Sequence, residues 1–284
     1  SLSAAARNLH LSQPAVTKQL QSLEQELGTT LLVRGHRGVV RLTPAGVLVQ
    51  RASERLVAEY DRLLRDLQGV AREGGEIDIA ASTTPGEFVL PALLLDFRAA
   101  HPDVMTHLTI ANTAAVLERV SAGASDLGFV GAPTDLAELT VRPFMSDRIV
   151  LAVPAGHPFA AGGPVTFDDI VRQRLIVRES GSGTRQSVAA TLTPEQREAL
   201  RQADVVEMGS THAVLSAIAS GAGVGFVSER ALQTRPAEEV VAVRDAGVEI
   251  TRQLLLVHRT DRSDDLQLRQ FVEYALEWGA RQQD

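Results

Sequence analysis

The chain has 284 residues, 44% of them hydrophobic and 22% charged, which is long enough and apolar enough for two or three globular domains. It contains no cysteine, which excludes disulfides, thiolate metal sites and a cysteine nucleophile, and no apolar run approaches the roughly 18–20 residues that span a bilayer. The net charge of −7 conceals an asymmetry: residues 1–51 carry six basic groups against two acidic ones, a net of +4, and the remainder carries −11, so a polyanionic partner is expected at one end only.

From the N-terminus, "SLSAAARNLHL" predicts a short helix from Ser3 to about Leu9. A second helix follows after a tight connection. Ser12 is a good N-cap, Pro14 sits in the first turn where its missing N–H costs nothing, and Gly28 suits a left-handed C-cap. Val16, Leu20, Leu23 and Leu27 draw one apolar stripe, so Gln13, Thr17, Lys18 and Gln21 project elsewhere. Lys18 is the only lysine among 28 basic residues. Two short helices with a polar, basic start to the second describe a helix-turn-helix, whose second helix enters the major groove N-terminus first. Gln and Thr can read base edges there, and Lys18 can reach a base or a phosphate. Two β-prone pieces, Leu31–Val33 and Val39–Leu42, then flank the turn Arg34-Gly35-His36-Arg37-Gly38. Such an arginine-tipped ribbon suits phosphates or the minor groove. Thr43 caps a further helix that starts at Pro44.

At this point "AAARNLHLSQPAVTKQLQSLEQELGTTLLVR" and "LTPAG" resemble, in order and spacing over residues 1–46, the winged helix-turn-helix of LysR-type transcriptional regulators. The resemblance implies DNA contacts from Ser12, Gln13, Pro14, Thr17 and Lys18, and wing contacts from Arg34 and Arg37. The family's first helix has no counterpart, so the sequence is expected to lack its N-terminal part.

Residues 47–73 predict a long linker helix. Leu56, Tyr60, Leu63, Leu67 and Val70 follow heptad spacing, which suits a coiled-coil seam along a rod of roughly 40 Å. The resemblance implies that this helix dimerises, bringing two recognition helices to a pseudo-palindromic, double-stranded operator.

Strands and helices alternate beyond the break "REGGE", which predicts a mostly parallel sheet with covered faces. Strands are expected at "EIDIAAS", "VMTHLTIAN", "DLGFVGA", Leu175–Val177, Val205–Glu207 and Val224–Val227. "PGEFVLPALLLDFRAAHP" is expected as one helix and Asp264–Gly279 as the last. Two lobes result, 75–149 with 258–284 and 150–257, joined by crossings near Arg148–Val153 and Leu254–Arg259. Ligands in such sheets bind beyond strand carboxyl ends. Three of these ends carry hydroxyls at a helix start: Ser82-Thr83-Thr84, Ser180-Gly181-Ser182-Gly183-Thr184 and Gly209-Ser210-Thr211. Together they predict an anion cleft.

This body is similar to the effector-binding domain of the same family, a type 2 periplasmic-binding-protein fold, through "DRIVLAVPAGHP", "GSGTR" and "GSTHAVLSAIASGAGVGFVSE". The resemblance implies that Thr83, Thr84, Ser182, Thr184 and Thr211 hydrogen-bond a small anionic effector. His212 has two orientations open to it, into the cleft, where affinity would follow pH, or outward; the outward one is expected.

Enzymatic chemistry finds no support. The sequence lacks G-x-S-x-G, H-E-x-x-H and G-x-x-x-x-G-K, the body has no lysine, and the seven histidines show no metal spacing. No catalytic residue, metal or cofactor is expected. The expected protein is a cytoplasmic DNA-binding regulator, a homodimer or homotetramer, with RNA polymerase as a further candidate partner and no membrane association. A small-anion solute-binding protein with no DNA role is the alternative. It would carry a secretion signal and no basic helix-turn-helix, contrary to what the sequence shows.

Overall fold

The computed structural model describes residues 1–34, 40–69, 75–132, 136–243 and 245–282. They form two compact units, Ser1–Leu63 and Leu64–Asp284.

In the first unit, α1 (Leu2–Asn8) and α2 (Gln13–Leu27) form the helix pair. Ser12 keeps extended backbone and its Oγ accepts from the Ala15 N–H, while Gly28 closes α2 at φ 63°. The ribbon strands β1 (Leu32–Arg34) and β2 (Val40–Leu42) pair antiparallel, with Leu32 opposite Leu42. Glu24 fastens the ribbon to α2, its Oε1 accepting from the Leu31 and Leu32 N–H groups at 2.7 and 3.2 Å. Thr43 Oγ1 donates to the Thr30 carbonyl at 2.7 Å and caps α3 (Pro44–Gly69) by accepting from Gly46 N–H at 2.9 Å. At Gly46 the helix lies against the chain before the ribbon, where an added Cβ would stand 2.0 Å from the Leu31 carbonyl oxygen.

The second unit runs β3 (Glu76–Ser82), α4 (Thr83–Phe88), α5 (Leu90–Ala100), β4 (Met105–Ala111), α6 (Thr113–Ser121), β5 (Leu127–Val130) and the long β6 (Leu139–Pro154). It continues with α7 (Phe167–Val171), β7 (Leu175–Arg178), α8 (Gly183–Thr191), α9 (Pro194–Gln202), β8 (Val205–Met208), α10 (Thr211–Ala219) and β9 (Gly225–Ser228). The elements α11 (Glu229–Leu232), β10 (Val240–Val243), β11 (Ile250–Arg259) and α12 (Leu266–Arg281) complete it.

The sheet is mixed rather than mostly parallel. Its order is β10-β6-β11-β5-β3-β4, with β9 also on β6. Only the β3–β4 and β3–β5 pairs in it are parallel; a separate β7–β8 pair is parallel too. The cause lies in β6 and β11, which carry the chain from one lobe to the other and back, and therefore run antiparallel along their shared length from Leu139↔Arg259 to Ile149↔Ile250. Residues Leu255–His258 of β11 pair β5 in lobe I, while Ile149–Pro154 of β6 pair β9 and β10 in lobe II. The passage between lobes thus precedes Leu255, at the start of the crossing expected near Leu254–Arg259, and the expected boundary at 257/258 falls inside a lobe I pairing. A register shift between Leu254 and Leu255 marks it. The single helix expected over "PGEFVLPALLLDFRAAHP" is two, broken at Val89 (φ −127°, ψ −56°), and Pro91, which has no N–H to give back to α4, stands in the first turn of α5.

Each lobe has its own core. Lobe I packs α5 and α12 on the sheet through Ile79, Leu93, Phe97, Phe129, Phe271 and Trp278. In lobe II, α10 covers the sheet through Val150, Ile176, Val214, Leu215, Ile218 and Val227. Two lobes with separate cores on a pair of continuous strands set up a cleft at the strand ends.

Candidate functional site

At the first unit's tip, Ser12, Gln13, Pro14 and Lys18 are exposed and Thr17 is half-buried. Ser3 Oγ donates to Gln13 Oε1 at 2.9 Å, which holds that amide at the helix start and leaves its NH2 as a donor. Arg34 ends β1; Arg37 lies outside the described residues. No residue of α2 is buried, and Leu23 and Leu27 on its apolar stripe stay 38% and 47% exposed. Along α3, Leu56, Tyr60 and Leu63 are 73%, 60% and 52% exposed, an apolar row that a single copy leaves in water. Leu67 belongs to the same helix, and Val70 lies outside the described residues.

The second unit gathers hydroxyls around two buried guanidiniums. Ser82 closes β3 and Thr83 and Thr84 start α4, Ser182 and Thr184 start α8, and Thr211 starts α10; all six are buried. Arg178, the last residue of β7, donates from Nη1 to Thr83 Oγ1 at 2.8 Å and to Thr211 Oγ1 at 2.7 Å. Its other two nitrogens bind Glu179 as a fork, at 2.8 and 2.9 Å. Burial would raise the Glu179 carboxyl, but the hydrogen bonds and charge of Arg178, aided by Asn112, outweigh it and hold the group below the usual carboxylate range.

Arg252 rises from β11 at the passage between lobes. It pairs with Asp147 on β6 through Nε at 2.8 Å and Nη2 at 2.7 Å, both side chains being almost fully buried. Its remaining hydrogens reach Thr84 Oγ1 of lobe I at 3.0 Å, Thr184 Oγ1 of lobe II at 3.2 Å and the Gly131 carbonyl at 3.0 Å. Burial holds this guanidinium below its ordinary value, opposed by Asp147, and the like charge of Arg178 pushes the same way as burial.

The oxygens of Thr83, Thr84, Thr184 and Thr211 accept from the arginines; Thr83 and Thr211 also share a hydrogen bond at 3.2 Å, so the O–H of Thr84, of Thr184 and of one of that pair is left to donate. Thr113 Oγ1 is buried beside them with no hydrogen-bond partner. Ser82 and Ser182 make no side-chain capping bond to their helices, in contrast to Ser210, whose Oγ accepts from Ala213 N–H at 3.1 Å. Thr84, Thr113, Arg178, Ser182, Thr184 and Arg252 line one space of about 10 Å³. That is room for about one water molecule, so the lobes stand closed. Further contacts span them: Ser187 Oγ donates to the Gly131 carbonyl at 3.2 Å, and Ala114 N–H to the Gly181 carbonyl at 3.3 Å.

Of the hydroxyls expected from sequence, Ser180 is exposed and does not line the cleft, and Ser210 serves α10 as its cap. His212 is not among the cleft-lining residues; its Nδ1 lies 2.9 Å from Glu87 Oε2 across the lobes and its side chain is 55% exposed. Sequence reasoning missed Arg178, Arg252, Asp147, Asn112 and Thr113. The available signal was charge inside buried strands: "LIVRES", "SDRIVLAV" and "ITRQLLLV" each carry an ion where apolar neighbours demand a partner. Among the described residues no group of His, Asp and Glu is arranged to hold a metal, and no helix is long and apolar enough to cross a membrane.

A family model described as the LysR substrate binding domain matches residues 71–280, and one described as the bacterial regulatory helix-turn-helix protein, lysR family, matches residues 1–47. A probable RuBisCO transcriptional regulator of Synechocystis sp. is 32% identical over 269 residues, covering 92% of this chain and 77% of that protein. The HTH-type transcriptional regulator CysL of Bacillus subtilis is 31% identical over 230 residues, covering 81% and 76%. Among solved structures, the LysR family transcriptional regulator CbnR aligns at 24% identity and TM-score 0.69, over 99% of this chain and 94% of its own. The regulatory domain of Synechocystis CcmR, solved in complex with 2-PG, aligns at 24% identity and TM-score 0.63 over 72% and 97%.

Proposed function

As the chain belongs to the lysR family of bacterial regulatory helix-turn-helix proteins, we propose that a small anion taken between its two lobes alters operator binding or transcription activation. The convergence of Arg178 and Arg252 on a shared set of threonine hydroxyls is the observation that carries this reading. Two cations already balanced by Glu179 and Asp147 give N–H groups to the threonines of the cleft, and in a dry site charge-assisted bonds redirected from those hydroxyls favour an anion over a neutral ligand. The 2-PG bound to CcmR is a ligand of this class and a natural first probe.

The closed cleft has no room for a metabolite, so the effector enters an opened form and closes the lobes around itself. Its influence on DNA then equals its differential affinity for the two assemblies. Ser12, Gln13, Pro14, Thr17 and Lys18 would face the duplex, with Arg34 and Arg37 on the ribbon. Leu56, Tyr60 and Leu63, continued by Leu67 and Val70, would meet a second copy and set two recognition helices on a pseudo-palindromic site in the cytoplasm.

Two substitutions test the halves separately. Lys18→Ala is expected to weaken binding to all duplexes alike and to lower the salt slope by about one, read by fluorescence anisotropy at several salt concentrations. A loss confined to one sequence would instead assign Lys18 to a base. Thr184→Val is expected to leave DNA affinity intact and to weaken effector binding by about tenfold, since one hydrogen bond is removed in a buried site. Calorimetric titration with 2-PG and with small carboxylates, sulfate, sulfite and sugar phosphates measures it, and unchanged affinity would remove Thr184 from the site.

A further inference from the structure

Lobe II contains a second cavity, separate in character from the cleft. It measures about 520 Å³ and lies between the β7–β8–β9 side of the lobe and the helices α8 and α9. Ile176 and Phe226 face it from the strands, Val188, Ala189 and Leu200 from the helices. Protein interiors leave few gaps larger than a water molecule, whereas sites for small organic ligands run to roughly 300–1,000 Å³ with mainly apolar walls. A space of this size and lining has the volume and chemistry of such sites.

Its charged groups are of one sign. Arg178, Arg185, Arg197 and Arg201 stand along it, and Arg178 is held by Glu179. Arg185 Nη1 is engaged by Glu207 at 2.5 Å and by the Arg178 carbonyl at 2.9 Å, and Arg201 is paired with Glu198. Arg197 donates only to the Ala189 carbonyl, at 3.3 Å, and has no carboxylate in ion-pair range among the described residues. An apolar pocket with one guanidinium at its edge that no carboxylate pairs within 4 Å among the described residues fits a ligand with an apolar body and a single negative head. It does not fit a small inorganic anion or a sugar phosphate, which the apolar walls would strip of water without repayment.

We propose that this cavity is a second ligand site, for an amphipathic monocarboxylate, with the hydrocarbon portion against Val188, Leu200 and Phe226 and the carboxylate on Arg197. Arg178 and Thr184 line both this cavity and the cleft. An occupant would therefore press on α8 from the side opposite the proposed effector. That coupling rests on the cleft reading; the site itself does not.

Octanoate titrated calorimetrically into the full chain, below its micellar concentration, tests the site. One saturable equivalent is expected. Ala189→Phe, which fills the cavity, is expected to weaken it by about tenfold or more. Arg197→Glu is expected to weaken octanoate by about three- to fivefold, the scale of an exposed ion pair, while leaving octanol binding unchanged. Should Ala189→Phe fail to fold, as its thermal unfolding would reveal, the octanoate-to-octanol contrast in Arg197→Glu decides alone. No saturable octanoate binding, or binding that Arg197→Glu leaves untouched, overturns the proposal. Displacement of octanoate by 2-PG at one shared site would likewise overturn it.

Discussion

Arg252→Ala is expected to abolish the effector response and to lower the melting temperature of the second unit sharply. The guanidinium supplies bonds to both lobes, and each charge-assisted bond to a bound anion contributes about 1.5–3 kcal/mol, so its loss weakens binding by at least roughly tenfold to a hundredfold. Its removal also strands Asp147, whose side chain is fully buried, with Ser228 Oγ at 2.6 Å as its remaining side-chain donor. Breaking a buried pair in this way costs about 3–5 kcal/mol, which in a unit of this size lowers the melting temperature by several degrees per kcal/mol. The two consequences are separable. In Asp147→Leu combined with Arg252→Met the ions are replaced by apolar groups of similar volume, an exchange that is often neutral or stabilising. Thermal unfolding of the double variant should return near the parent's, while effector binding stays lost. Recovery of binding along with stability would reduce Arg252 to a structural ion.

Gly46→Ala is expected to do the converse: to cripple DNA binding while leaving effector affinity at the parent's value. A methyl group there would lie 2.0 Å from the Leu31 carbonyl oxygen and 3.1 Å from Leu42 Cδ2. The first of these is backbone and cannot rotate aside. Leu31 is itself buried and anchored to Glu24, so α3 and the ribbon must move apart together. Overpacking of this kind costs typically 1–3 kcal/mol, and a unit of only 63 residues has little stability to lose. Anisotropy with an operator duplex and calorimetry with the effector, on the same preparation, read the two halves. Parallel loss of both activities would contradict the division of labour.

The helix-turn-helix was readable because every device in it is local. Ser12, Pro14 and Gly28 mark the limits of α2 within the sequence itself, and the structure uses each as a cap or first-turn residue. The ribbon strands fell within a residue of their expected places. In the body, Ser82–Thr84, Thr184 and Thr211 could be recognised because a hydroxyl after a strand and before a helix is a short-range pattern. The arginines between those hydroxyls were not, because what gives Arg252 its role is Asp147, 105 residues away in the chain. The sheet's mixed direction was hidden for a similar reason: a long strand read alone does not disclose that it leaves one lobe and enters another. Ser180 and Ser210 share the composition of the site without its position. One stands in water and the other is consumed by the helix it starts.

The central claim is that buried guanidiniums at the passage between the lobes hold a small anion. A thermal-shift series on the full chain tests it most directly, run with 2-PG, small carboxylates, sulfate, sulfite and sugar phosphates, each against the parent and the Asp147→Leu/Arg252→Met variant. An anion present at a hundred times its Kd stabilises by about 2.7 kcal/mol, a rise of roughly 5–10 °C for the effector unit. Such a rise is expected for at least one anion in the parent and for none in the variant. An equal rise in both, or stabilisation by uncharged ligands alone, would contradict it.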